Sequence, residues 1–155
     1  MMKNIKSLKQ FFALGLLSIL LLGLAGLVVA PLTAPLLKFS IVQVENTKSI
    51  VVLLALGLVP LAFYFHNKKL AQMNDVKNPD ERFLLYMKGF RQKLMLLVLV
   101  SVIAVIAYIL TKHSAFLYIL LLALVAYLLN IPSGEKIEDL LLPPVEEETE
   151  SEDTE

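Results

Sequence analysis

The sequence predicts an all-α protein: a four-helix transmembrane bundle with a cytoplasmic amphipathic segment and a disordered acidic C-terminal tail. Three observations lead there. First, 57% of the 155 residues are hydrophobic, against roughly 45–50% in ordinary soluble domains. Second, Lys, Arg, Asp and Glu are absent from four windows, residues 10–37, 49–67, 94–111 and 113–134. A helix needs about 20 apolar residues to cross a hydrocarbon core about 30 Å thick, and each window is close to that length. Third, the charge outside the windows is sorted by segment and by sign. A Lys, Arg or Asp at a span centre costs about 2.5–3.5 kcal/mol on insertion scales, while each Leu, Ile, Val or Phe gains a few tenths. All four windows therefore insert readily, and together they leave too little polar surface for a soluble fold.

The first span is expected over 11–30, where Pro31 and Pro35 interrupt it, because proline removes a helical donor and clashes with the preceding turn. Residues 36–47 are then placed at the outer interface. The second span covers 49–65 and should kink at Pro60. In the loop that follows, Asn78-Pro79-Asp80-Glu81 combines a cap residue, proline at the first helical position and acids in the first turn, which is a helix start. Phe83, Met87, Phe90 and Leu94 continue it as one apolar stripe, flanked by Arg82, Lys88, Arg91 and Lys93, with Gly89 as the place to bend. Spans three and four, 94–111 and 115–131, leave only Lys112, His113 and Ser114 between them, so they form a tight antiparallel hairpin. Residues 1–134 make the membrane domain and 135–155 the tail, which begins with a short helix over 133–142 whose Ile137, Leu140 and Leu141 share a face. From Val145 onward the chain is too acidic to pack and is expected to be disordered.

Orientation follows from Lys and Arg. Eleven lie before span one, between spans two and three, or after span four; three lie in the other two connections. The positive-inside rule puts both termini and the 68–93 loop in the cytoplasm. Lys3, Lys6 and Lys9 before a Leu-rich run also resemble a secretory leader. Cleavage after Ala30 or Ala34 would place Pro31 or Pro35 just past the cut, a poor substrate, and leaves Gly23-Leu24-Ala25 as a weak site.

The residues offer little chemistry. With no cysteine, disulfides, thiol catalysis, Cys-ligated zinc and a lipoprotein anchor are excluded. A net charge of zero argues against nucleic acid as a partner. Proton-coupled transporters usually carry an ionisable residue inside a span, and these spans carry none. His66 and His113 fall at opposite faces, cannot share a metal, and read as interfacial residues; no cofactor or metal site is expected. Tyr64, Tyr108, Tyr118 and Tyr127 read as interface anchors. Gly26 with Ala30, and Ser101, Ala104 and Ala107, are small residues at helical spacing that let helices approach closely, whether within the chain or between chains. The residues singled out for membrane-surface or partner contact are Arg82, Phe83, Met87, Lys88, Phe90, Arg91 and Lys93, facing the bilayer and its anionic lipid, with Ile137, Leu140 and Leu141 facing a partner. The stripe has a second reading, packing on neighbouring helices of the bundle.

Asp80-Glu81-Arg82-Phe83-Leu84-Leu85-Tyr86 before span three, the turn from Thr111 to Ser114, and Pro132-Ser133-Gly134-Glu135-Lys136-Ile137-Glu138-Asp139-Leu140 after span four resemble an uncharacterised family of small four-span bacterial membrane proteins. The resemblance covers mainly residues 80–142, implies a four-span membrane fold, and brings no functional residues with it. The sequence thus leads to a non-enzymatic structural or accessory subunit of the bacterial inner membrane, acting through helix contacts and cytoplasmic segments with a membrane protein partner or as a homo-oligomer. The alternative is an oligomeric small transporter or channel component.

Overall fold

The computed structural model describes residues 2–33, 39–134 and 137, with side chains from Ile5 onward. Four helices follow one another, α1 (Met2–Thr33), α2 (Ile41–Met73), α3 (Pro79–Thr111) and α4 (Ala115–Leu128), with no strand among the described residues. The first three are 32, 33 and 33 residues long. At 1.5 Å rise per residue α2 and α3 are each about 50 Å long, so they outrun a hydrocarbon core of about 30 Å. All three are long and apolar enough to cross a membrane. The fourth is a correction: α4 has 14 residues and stops at Leu128, not 131, giving about 21 Å of regular helix. Asn130 ends it, its N–H donating to the Tyr127 carbonyl at 3.0 Å and its side-chain amide to the Ala126 carbonyl at 2.6 Å.

The other boundaries have local causes. α1 passes through Pro31 instead of stopping there. Proline at the last turn removes one bond of the ladder, and the Thr33 hydroxyl lies over the carbonyls of Val29 and Ala30 at 3.3 and 3.1 Å. α2 starts eight residues before the expected span because Ser40 and Gln43 form a capping box, the Gln43 N–H donating to Ser40 Oγ at 3.3 Å and the Ser40 N–H to Gln43 Oε1 at 2.9 Å. Residues 41–47, expected at the outer interface, are therefore helical, and α2 continues unbroken through Pro60. Asn78 caps α3 as expected, its side chain accepting from the Asp80 N–H at 3.0 Å with Pro79 in the first turn. The expected tight hairpin between α3 and α4 is present. Lys112 closes α3 in the left-handed region at φ 56°, the one such residue among those described. Ala115 N–H then donates to His113 Nδ1 at 3.2 Å.

α3 is the central helix, packed on the other three. Its buried positions run from Arg82 to Ala107 at spacings of three and four, a stripe kept along the whole element. One core cluster joins Leu8 and Phe12 of α1, Met73 of α2, Phe83, Tyr86 and Phe90 of α3, Tyr127 of α4 and Ile137. A second joins Val51, Ala107 and Phe116. The start of α1, the end of α2, the start of α3 and the end of α4 therefore meet at one end, and the helices alternate in direction. Small residues allow the approach within this one chain. A Cβ on Gly26 would stand 2.9 Å from Val105 Cγ1, and Ser101 and Ala104 are fully buried. Outside, the middle of the helices is covered by exposed large apolar side chains, among them Leu14, Leu17, Leu53, Leu56, Met95, Ile106 and Leu122. A soluble monomer seldom exposes so much contiguous apolar surface; lipid is the solvent that accepts it.

Candidate functional site at the basic end of the bundle

Lys and Arg are concentrated where the helix ends converge around Leu8, Met73, Phe83 and Tyr127, and the side chains named from the sequence are divided there between inside and outside. α3 does not break at Gly89. It is one continuous helix from Pro79 to Thr111, and Gly89 lies close against α2. A Cβ there would stand 2.8 Å from Lys69 Cβ and 3.3 Å from His66 Nδ1. The N-terminal turns of α3 carry their apolar stripe inward, onto the core shared with α1, α2 and α4. Phe83 and Phe90 are buried, Leu94 is 1% exposed, and Met87 is half-buried, with Tyr86 taking the inward position beside it.

Two of the four flanking cations are also inside. The Arg82 guanidinium donates from Nη1 to the Val76 carbonyl at 3.1 Å, tying the α2–α3 connection to α3. Lys93 Nζ lies 5.5 Å from the ring centres of both Phe63 and Phe90, a cation–π arrangement whose attraction grows as water is excluded. The other two, Lys88 and Arg91, are exposed, and the Arg91 guanidinium stacks over Phe11 of α1 at 5.0 Å. A surface helix lying on lipid with Phe83 and Phe90 outward is thus not the arrangement of this segment. The stripe is core, and of the four flanking cations only Lys88 and Arg91 are exposed.

His66 is the residue whose place was least expected. Read as an interfacial residue, it is buried at 8% exposure, edge-on to Tyr86 (5.7 Å, 69°) and to Phe90 (6.4 Å, 69°), which stack on each other at 5.9 Å. Its Nδ1 has no hydrogen-bond partner among the described residues. The signal was its register with Val51, Ala55, Ala62 and Met73, the other buried positions of α2. Tyr127, read as an interface anchor, is fully buried and donates its hydroxyl to the Phe12 carbonyl at 3.0 Å.

Ile137 is 1% exposed and belongs to the core cluster with Leu8 and Phe83, so this one side chain of the expected partner face packs on the chain's own bundle. Its N–H donates to the Ser133 carbonyl at 3.2 Å, as in the first turn of a helix begun at Ser133. Leu140, Leu141, the rest of the 133–142 helix and the acidic tail lie outside the described residues. No group of three His, Cys, Asp or Glu side chains able to hold a metal occurs among the described residues. What this end assembles among the described residues is an aromatic and cationic packing unit with outward positive charge.

Along α1 and α3 a groove of about 540 Å³ opens sideways, lined by Phe11, Leu14, Gly15, Leu94, Met95 and Val102 among others, with Tyr127 also on its wall. Phe11 also lines a smaller recess of about 150 Å³ with Ser7, Leu8, Met87 and Arg91. No family model matches the chain, and no curated protein or solved structure matches it.

Proposed function

We propose that the chain is a non-enzymatic accessory subunit of the bacterial inner membrane, crossing it four times with both termini and the basic end in the cytoplasm. The observation that carries the reading is the closed middle of the bundle. Ala55, Val100 and Ala123 pack together, Ser101 gives its hydroxyl to the Leu97 carbonyl at 3.0 Å within its own helix, and the large cavity faces lipid rather than running along the axis. A single copy with that interior offers helix surfaces and a charged end, not a polar path. The fourth crossing combines α4 with its flanking turns, and the hairpin at Lys112–Ser114 directs it back toward the basic end. The 11-to-3 division of Lys and Arg supports the orientation.

Reporters fused after Asn46, Lys77, Lys112 and Glu155 are expected to signal outside, inside, outside and inside; Lys77 outside would refute the orientation. The accessory role is tested by purification in mild detergent, where a defined membrane protein should co-purify in fixed ratio. Cation flux through proteoliposomes of the chain alone, abolished by one substitution inside a span, would replace this role with the transporter alternative.

A further inference from the structure

We infer that the groove between α1 and α3 holds one acyl chain of an anionic phospholipid whose phosphate is bound at Arg91. This rests on the membrane-spanning part of the reading above and is independent of which side the basic end faces. The groove and the recess are neighbours, with Phe11 in the wall of both. The Arg91 guanidinium is held over that ring at 5.0 Å, and Ser7 stands on the recess wall. An apolar slot thus has beside it a recess carrying a cation and a hydroxyl donor, the arrangement an amphiphile with a negative head would meet. Arginine suits it because its planar fork presents paired donors to a phosphate, and stacking on Phe11 fixes the fork in advance.

Depth decides between a lipid and a second protein chain. On α3 the groove runs from Leu94 to Val102, eight residues or about 12 Å. That is close to one leaflet, about 15 Å of a core about 30 Å thick, whereas a packed transmembrane helix would want a trough along the full span. Arg91 lies three residues beyond Leu94, about 4.5 Å further along the helix, on the side toward the basic end. The volume is also within the range of about 300–1,000 Å³ that bound small molecules occupy. The wall is preformed. Gly15 has no side chain to fill the slot, and a Cβ there would collide with the hydroxyl of Tyr127, which is itself held by the Phe12 carbonyl. Ser18, also on the wall, donates to the Leu14 carbonyl at 2.8 Å, so the slot presents no unmet hydroxyl to the chain inside it.

The test is native mass spectrometry of the full chain from mild detergent, titrated with phosphatidylglycerol or phosphatidylcholine. One phosphatidylglycerol should be retained in preference to phosphatidylcholine. Arg91→Gln should weaken phosphatidylglycerol about fivefold, the scale of one basic residue at an anionic surface, without changing phosphatidylcholine, and Arg91→Lys should recover part of the loss. Lys68→Gln, which removes the same charge from an exposed position of α2 at the same end, should change either lipid less than twofold. Leu14→Trp, which fills the slot from an exposed position, should weaken both. Equal losses for Arg91→Gln and Lys68→Gln mean diffuse attraction and overturn the site, as does an inert Leu14→Trp. A dimer lost on Leu14→Trp and unaffected by phosphatidylglycerol assigns the groove to a second copy. Failure of the membrane reading would show separately, as a chain soluble without detergent.

Discussion

Phe90→Ala is expected to destabilise the protein by about 3–5 kcal/mol, the range for deleting a fully buried phenylalanine. Phe90 is 2% exposed, stacks on Tyr86, meets His66 edge-on and lies against the Lys93 ammonium. Removing the ring opens a cavity and at the same time leaves Lys93, 4% exposed, with Phe63 alone as its aromatic neighbour among the described residues. Reversible unfolding in mixed micelles, followed by circular dichroism, reads the effect. A phenylalanine lying on a lipid surface would show about 0.5 kcal/mol or less in the same assay, the size usual for surface substitutions. The experiment therefore separates a core residue from a membrane-surface residue at the position where the sequence admits both.

The second large effect is at the crossing of α1 and α4. Gly15→Ala is expected to cost about 1–3 kcal/mol, the scale of overpacking, because the new methyl would overlap the Tyr127 hydroxyl and stand 3.0 Å from the ring carbon that bears it. Tyr127 cannot swing away cheaply, being fully buried and bonded to the Phe12 carbonyl. Tyr127→Phe alone should cost about 1 kcal/mol, the ordinary value of one hydrogen bond. In the double variant the clashing atom is gone, so the losses should fall short of their sum by about 0.5–3 kcal/mol, the coupling usual for residues in contact. Strict additivity in the same unfolding assay would mean that Gly15 and Tyr127 do not meet.

These two sites show what a reader of the sequence can and cannot reach. The helix starting at Asn78 and the hairpin at Lys112–Ser114 were legible because they depend on local chemistry, a cap followed by proline and a connection too short to do anything else. The start of α2 was equally local, Ser40-Ile41-Val42-Gln43, but the polar residues after it, Glu45 and Lys48, suggested a connection; the two form an ion pair one turn apart on the helix surface. Gly89 was misread for a different reason. A glycine in a helix marks either a bend or a close neighbour, and only the position of Lys69 on another helix decides which. His66 and Lys93 suffered from the same ambiguity at the edge of the charge-free windows, where a polar residue that snorkels to water and one packed among rings have identical sequence surroundings. The groove was invisible in principle, since it is made by Gly15 of α1 and Leu94–Val102 of α3, two stretches that read simply as apolar helix.

The central claim, a bundle in lipid with its basic end and its hairpin on opposite sides, is open to a direct measurement because the chain has no cysteine of its own. Single cysteines placed at Lys88, Met95, Ile106 and Ser114, all exposed on the protein surface, can be treated with a membrane-impermeant maleimide in sealed vesicles of each orientation. Lys88→Cys should label from one side only and Ser114→Cys only from the other, while Met95→Cys and Ile106→Cys, equally uncovered by protein, should label from neither because lipid covers them. Rapid labelling of Met95→Cys or Ile106→Cys in intact vesicles, or labelling of Lys88→Cys and Ser114→Cys from the same side, would contradict the account.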